Sequence, residues 1–366
     1  MMSGRAQIGR AALLLLATVA SRADAAPMPG PAPPARTGDR SAAQAGCVGC
    51  HTDIAGEWAA SLHKVSASDE PYREAFAREP LMFCRNCHVP ESTPRNPVTA
   101  WAEEVGVGCV TCHVTTRGGV LAAHDAVDGA AESASPHALL RSPEFAGPGA
   151  CAGCHEFAFP GASVMPRPDD MQETVREHAA SWARDYACAD CHMPWVDDGA
   201  GRGHRSHSFA ASRDPEMLAR AVGVSARRLG TTEVEVTLTP GAAGHAFPTG
   251  DLFRRLELRV RVIGVDGPHG LQRRRLGREF ATGGHGGMFR GQLADTRVHN
   301  EPVVLRFDLM DGPPPPTPIC EDLSQVEVAW ELRYQRVAFP DPRRRDGGVL
   351  DGEVIVAYGT LSGDGS

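Results

Sequence analysis

Ten of the eleven cysteines in this chain fall in five copies of one arrangement: CVGCH from Cys47, CRNCH from Cys84, CVTCH from Cys109, CAGCH from Cys151 and CADCH from Cys188. Cysteines at i and i+3 of a helical turn project from the same side, and a histidine at i+4 lies next to them. Two thiols so placed can each bond one vinyl group of a single porphyrin while the imidazole reaches its iron, so Cys-x-x-Cys-His is the attachment signature of c-type haem. Thioredoxin-like dithiols, zinc knuckles and plain disulfides also use Cys-x-x-Cys, but none requires histidine next every time. With 15 histidines in 366 residues, chance would place one after all five pairs about once in ten million, whereas haem attachment demands it. The pattern predicts five covalent haems held by Cys47 and Cys50, Cys84 and Cys87, Cys109 and Cys112, Cys151 and Cys154, and Cys188 and Cys191. Their proximal iron ligands would be His51, His88, His113, His155 and His192.

The sixth coordination position decides what such a haem does, because a second protein ligand favours electron transfer and an open site admits a small molecule. Ten histidines remain to supply it. His63 follows His51 by twelve residues, about 18 Å along a helix, whereas two nitrogens on opposite sides of one iron lie roughly 4 Å apart. His63 is therefore expected to serve a different haem. His124 and His137 stand between the third and fourth motifs, where little else accounts for them, and His204 and His207 compete just past the fifth. His178 aligns with Trp58 in an internal repeat, EWAAS against EHAAS, rather than with a histidine. His245 lies in GAAGHAFPTGD, a Gly-rich stretch able to bend back toward the haems, while His269, His285 and His299 read as surface residues. Met193 directly follows a proximal histidine and cannot cross to the other face of that haem. The expected ligation is predominantly bis-histidine, which sets lower potentials than Met/His.

The elements that must position these groups change character along the chain. The motifs crowd into residues 47 to 192, about thirty residues per haem, so the haems are expected to pack against one another and supply much of the core. Aromatic residues make up only 6% of the chain, which fits a cofactor-filled interior. Residues 46–225 read as short helices and long loops, with Pro90 and Pro194 ending the turns that carry His88 and His192. From residue 226 onward the pattern alternates with period two, in TTEVEVTLT, RRLELRVRV, VVLRFDL, VEVAWELRY and EVIVAY, the mark of half-exposed antiparallel strands. The expected fold is α+β: a haem-packed domain over 46–225, then an antiparallel β-sandwich-like domain over 226–366. Cys320, outside the motifs, has no cysteine left to pair with and reads as a core residue.

The N-terminus places two arginines before an apolar run from Ala11 to Ala20 and an Ala-x-Ala arrangement at Ala23–Ala25. That is the form of a secretory signal peptide, residues 1–25, and the run is too short for the roughly twenty residues of a spanning helix. Residues 26–45, rich in Pro, Ala and Gly, read as a flexible leader. The expected location is the periplasm, with no transmembrane segment in the mature chain. A net charge of −8 argues against nucleic-acid binding, and the expected partners are periplasmic or membrane-bound redox proteins.

On these motifs the chain resembles the multihaem c-type cytochrome family that includes the tetrahaem electron acceptor of hydroxylamine oxidoreductase. The resemblance covers residues 46 to 215 and rests on CVGCHTDIAGEWAASLH and CADCHMPWVDDGAGRGHRSHSF. It implies distal roles for His63 and His207, and the GHAFPTGD segment adds His245, since similar segments follow the haem domain of many multihaem cytochromes. Departures bear on function. Pentahaem nitrite reductases hold their catalytic haem through Cys-x-x-Cys-Lys, and every motif here ends in histidine. Hydroxylamine oxidoreductases need a tyrosine bonded to the active porphyrin, and neither Tyr72 nor Tyr186 has a recognisable context. The leading expectation is an electron carrier, the alternative an oxidoreductase acting on a small nitrogen or sulfur compound at one five-coordinate haem. Pyridine-haemochrome analysis of protein matured with haem-attachment machinery should give five haems per chain, falling to four in the Cys84→Ala/Cys87→Ala variant.

Overall fold

The computed structural model describes residues 28–30, 39–92, 98–114, 119–123, 136–158, 170–197, 203–264, 270–282, 289–311, 323–339 and 348–363. The signal-peptide stretch, His124, His269, His285 and Cys320 lie outside them.

Each Cys-x-x-Cys-His motif occupies a short helix that stops at its histidine. The helices run Arg40–Cys50, with His51 as its C-cap, then Met82–His88, Cys109–His113, Gly149–His155 and Cys188–His192. The first begins within the leader stretch 26–45, where the Asp39 carboxylate caps it by accepting from the Ala42 amide. Val89 and Met193 leave helical geometry at φ −135°, as residues before a proline are driven to do. Three two-stranded sheets tie the region together: β1 (Val120–Ala122) with β2 (Leu139–Arg141), β3 (Glu156–Ala158) with β4 (Asp170–Glu173), and β5 (Trp195–Asp197) with β6 (Gly203–Arg205). Apolar packing here is sparse. The one buried cluster among the described residues of this region joins Ala67, Val89 and Ala102, with Tyr72, Val98 and Trp101 against it.

The C-terminal half carries the large core. Its strands are β7 (Val222–Arg228), β8 (Glu233–Pro240), β9 (Arg254–Val262), β10 (Leu271–Thr282), β11 (Phe289–Asp295), β12 (Val303–Asp308), β13 (Val328–Phe339) and β14 (Val349–Leu361). They form a three-stranded sheet, β12-β8-β7, and a five-stranded sheet, β11-β10-β9-β13-β14, with every neighbouring pair antiparallel. The fold is therefore mixed α+β with a sheet-rich C-terminal part. Alternate residues Val234, Val236 and Leu238 of β8 and Leu256, Leu258 and Val260 of β9 are buried together with Phe307 and Leu332, the period-two burial of a two-sheet core. On the other face of the five-stranded sheet, Glu257 is gripped by Arg259 and Arg275, and Glu353 accepts from Arg259 and Gln335. The strands that alternation did not reveal are β7, β10 and β11. In β10 the run LQRRRLGREF sets arginines on both sides of the strand, and this hides the period.

Phe307 has no exposed surface whereas Tyr358 is 78% exposed. Phe307→Ala is expected to cost about 3–5 kcal/mol, and Tyr358→Ala to stay within about 0.5 kcal/mol of wild type, as read from denaturant midpoints of the haem-loaded protein.

Candidate functional site

Three of the motif histidines are oriented by backbone carbonyls. Nδ1 of His88 bonds the Ser66 oxygen at 2.9 Å, Nδ1 of His113 the Leu121 oxygen at 2.8 Å, and Nδ1 of His192 the Ala210 oxygen at 2.8 Å. A carbonyl only accepts, so Nδ1 carries the proton and Nε2 keeps its lone pair, the state of an imidazole ready to bind iron. His207 and His245 are set the same way, by the Arg205 oxygen at 2.7 Å and the Ala246 oxygen at 2.9 Å.

Four motif histidines each meet a second histidine ring. Ring centres are 6.4 Å apart for His51 and His137, 6.4 Å for His63 and His155, 6.1 Å for His113 and His207, and 6.2 Å for His192 and His245. Two imidazoles on opposite faces of one iron, each nitrogen about 2 Å from the metal and each ring centre about 1 Å farther out, would sit roughly 6 Å apart. The residues therefore fit haem at four sites, with a gap of the right width between the rings. His63 meets the histidine of the fourth motif rather than that of the first, in line with the reach along the helix. Burial, reinforced by His155 and His207, pushes His63 down to about 4, and burial likewise holds His245 at about 4. Both stay neutral at physiological pH, the form that ligates metal.

The segments that bring these rings together are pinned individually. The helix Thr52–Ala59 ahead of His63 is tied down by Trp58, whose Nε1 donates to the Val107 oxygen at 2.8 Å. Glu57 on the same helix separates the two late histidines. Its Oε1 lies 3.1 Å from Nε2 of His204 and its Oε2 accepts from the His207 amide at 2.8 Å, so His204 is engaged by the carboxylate while the His207 ring faces His113. His178 is buried beside Gly244 and, among the described residues, stacks on no motif histidine, and His299 pairs with Asp295 at 3.2 Å. A partly buried pair, Arg40 with Glu91 at 2.9 Å, links the first motif helix to the segment after the second. Glu91 also accepts from the Thr111 hydroxyl of the third motif at 2.8 Å.

His88 differs from the other four. No histidine ring faces it among the described residues, and Tyr72 instead stacks on it, ring centres 4.1 Å apart and planes within 7°. Tyr72 carried no motif signal, because stacking on an imidazole leaves no spacing pattern in a sequence.

The motifs are not arranged in chain order. Motif cysteines lie beside one another across the chain: Cys47 beside Cys109, Cys87 beside Cys154, Cys151 beside Cys188, and Cys112 near Cys151. The first motif thus abuts the third, and the fourth abuts the second, third and fifth.

With this geometry in hand, comparison with solved structures finds a penta-heme cytochrome c552 from Thermochromatium tepidum. It superposes with a TM-score of 0.62 at 18% identity, over 86% of this chain and 97% of that one. At that identity the likeness is one of fold, and the chain has the fold of a multihaem c-type cytochrome. No family model matches the sequence, and no curated protein does.

Proposed function

We propose that this protein is a periplasmic electron relay carrying five covalent c-type haems, at least four of them bis-histidine. The observation that carries the reading is the four histidine pairs at 6.1 to 6.4 Å, because two strong-field protein ligands leave an iron no site for substrate and suit it to electron transfer. In this reading His137, His207, His63 and His245 are distal ligands to the first, third, fourth and fifth haems. The cysteines of each motif hold the porphyrin, and the carbonyl-bonded Nδ1 atoms keep each imidazole turned toward the metal. Bound haem supplies one-electron chemistry, and the chain supplies orientation, burial and contact between neighbouring cofactors. The contacts between motifs favour haems packed closely enough to pass electrons within the protein. Redox proteins of the same compartment would be its partners, and kinship to the tetrahaem acceptor family belongs to the same proposal.

A second reading is favoured by the His88 site, which lacks a facing histidine among the described residues. If His124, which lies outside those residues, does not reach it, the second haem is five-coordinate and open to a small nitrogen or sulfur compound. Every other motif histidine has a second histidine ring about 6 Å away, so this reading concerns one haem.

Electron paramagnetic resonance of the ferric holoprotein tests both. The relay reading expects at least four low-spin haems, with His63→Ala converting one of them to high spin and His204→Ala converting none. A majority of high-spin haems in the wild type would overturn it. The second reading requires one native high-spin haem that shifts with nitrite or hydroxylamine and is absent from the Cys84→Ala/Cys87→Ala variant. Five low-spin signals would remove it.

A further inference from the structure

His245 belongs to the C-terminal sheet region yet faces His192 of the fifth motif at 6.2 Å. It sits on the connection between β8 and β9, and a free loop would let the ring swing away. Here the loop is held on both sides of the histidine. Before it, Trp182 Nε1 donates to the Ala243 oxygen at 3.2 Å and the Ser181 hydroxyl to the Gly244 oxygen at 2.9 Å. A Cβ on Gly244 would fall 2.5 Å from that of Ala183, so the two segments touch with no room for a side chain. After it, Phe247 exchanges backbone hydrogen bonds with Val298 at 2.8 and 3.0 Å.

The strongest restraint is a buried cation. The Arg297 side chain is 3% exposed, and its guanidinium reaches the Pro248 oxygen at 3.3 Å, Glu177 at 2.5 Å, Glu173 at 2.8 Å and Asp295 at 2.6 Å. Glu173 and Glu177 belong to the haem region, and Asp295 and Pro248 to the C-terminal one. Glu177 closes the circuit by accepting from the Thr249 hydroxyl at 2.5 Å. Bonded at once to Pro248 and to Glu173 and Glu177, and helped by Thr249 on Glu177, Arg297 holds residues 247–249 against the segment that carries the two glutamates. A planar fork with several fixed donors can bridge such a set, and lysine, a single ammonium, cannot match it.

We infer that Arg297 is a positioning residue for the fifth haem: it clamps the loop that presents His245, so that the C-terminal sheet region completes a cofactor held covalently by the N-terminal one. This rests on the reading above in which His245 is a distal ligand. Removing the clamp frees His245 without touching the cysteines or His192.

The test is the spin state of the purified ferric holoprotein, followed by electron paramagnetic resonance and the visible spectrum. His245→Ala is expected to turn one haem in five high-spin, with low spin restored by added imidazole. Arg297→Leu should give the same single high-spin haem and the same rescue, and the double variant should show one such haem, not two. Arg297→Lys, which keeps the buried carboxylates opposed by a charge, should show part of one haem high-spin and covers the case in which the leucine variant does not fold. A high-spin haem in His245→Ala with fully low-spin Arg297 variants would overturn the inference and spare the ligand assignment. No high-spin haem in His245→Ala would overturn both.

Discussion

Two imidazoles must meet end to end across a gap of roughly 6 Å if one iron is to join them, and four histidine pairs of this structure meet that constraint. No helix can satisfy it with its own residues, since neighbouring turns put side chains on one face rather than opposed. Each pair therefore draws on segments far apart in the chain: His63 with His155, His113 with His207, His192 with His245. Haem ligation and tertiary topology become one problem. The small buried cluster of Ala67, Val89 and Ala102 could hardly hold such a region alone, while hydrogen bonds donated by Trp58 and Arg40 and accepted by Glu57 fix where segments lie.

Much of this was legible beforehand because covalent chemistry writes itself into spacing. The five motifs name their own helices, and the prolines after His88 and His192 mark where two of them stop. That His63 would meet a motif histidine other than His51 followed from the length of a helical turn. The sheet region was legible where one face is apolar, as in EVEVTLT and RRLELRVRV. It was lost in β10, whose arginines occupy both faces: Arg275 meets the Glu257 carboxylate on one side, and Arg278 the Gln292 amide oxygen on the other.

What the sequence could not show is pairing across distance. The choice between His204 and His207 turns on Glu57, about 150 residues earlier, which engages one ring and the backbone of the other. Tyr72 against His88 and Arg297 behind His245 are invisible for the same reason: each acts through contacts made only once the segments have assembled. A tyrosine in the haem region and an arginine between two strands have no distinguishing pattern of their own.

The spatial order of the motifs adds a constraint that chain order conceals. A string of haems in sequence order would touch first to second and second to third, yet Cys47 lies beside Cys109, and Cys87 beside Cys154. Among the described residues the fourth motif, with cysteine contacts to the second, third and fifth, stands at a junction. In the proposed relay, electrons that follow these contacts among the described residues would cross the fourth haem. The ligands of that junction are therefore the ones least free to change. His63 and His155 are both held neutral by burial, and they come from separate segments of the haem region. The one site without a facing histidine among the described residues, at His88, adjoins the junction. An open haem there would draw electrons from the relay through the fourth.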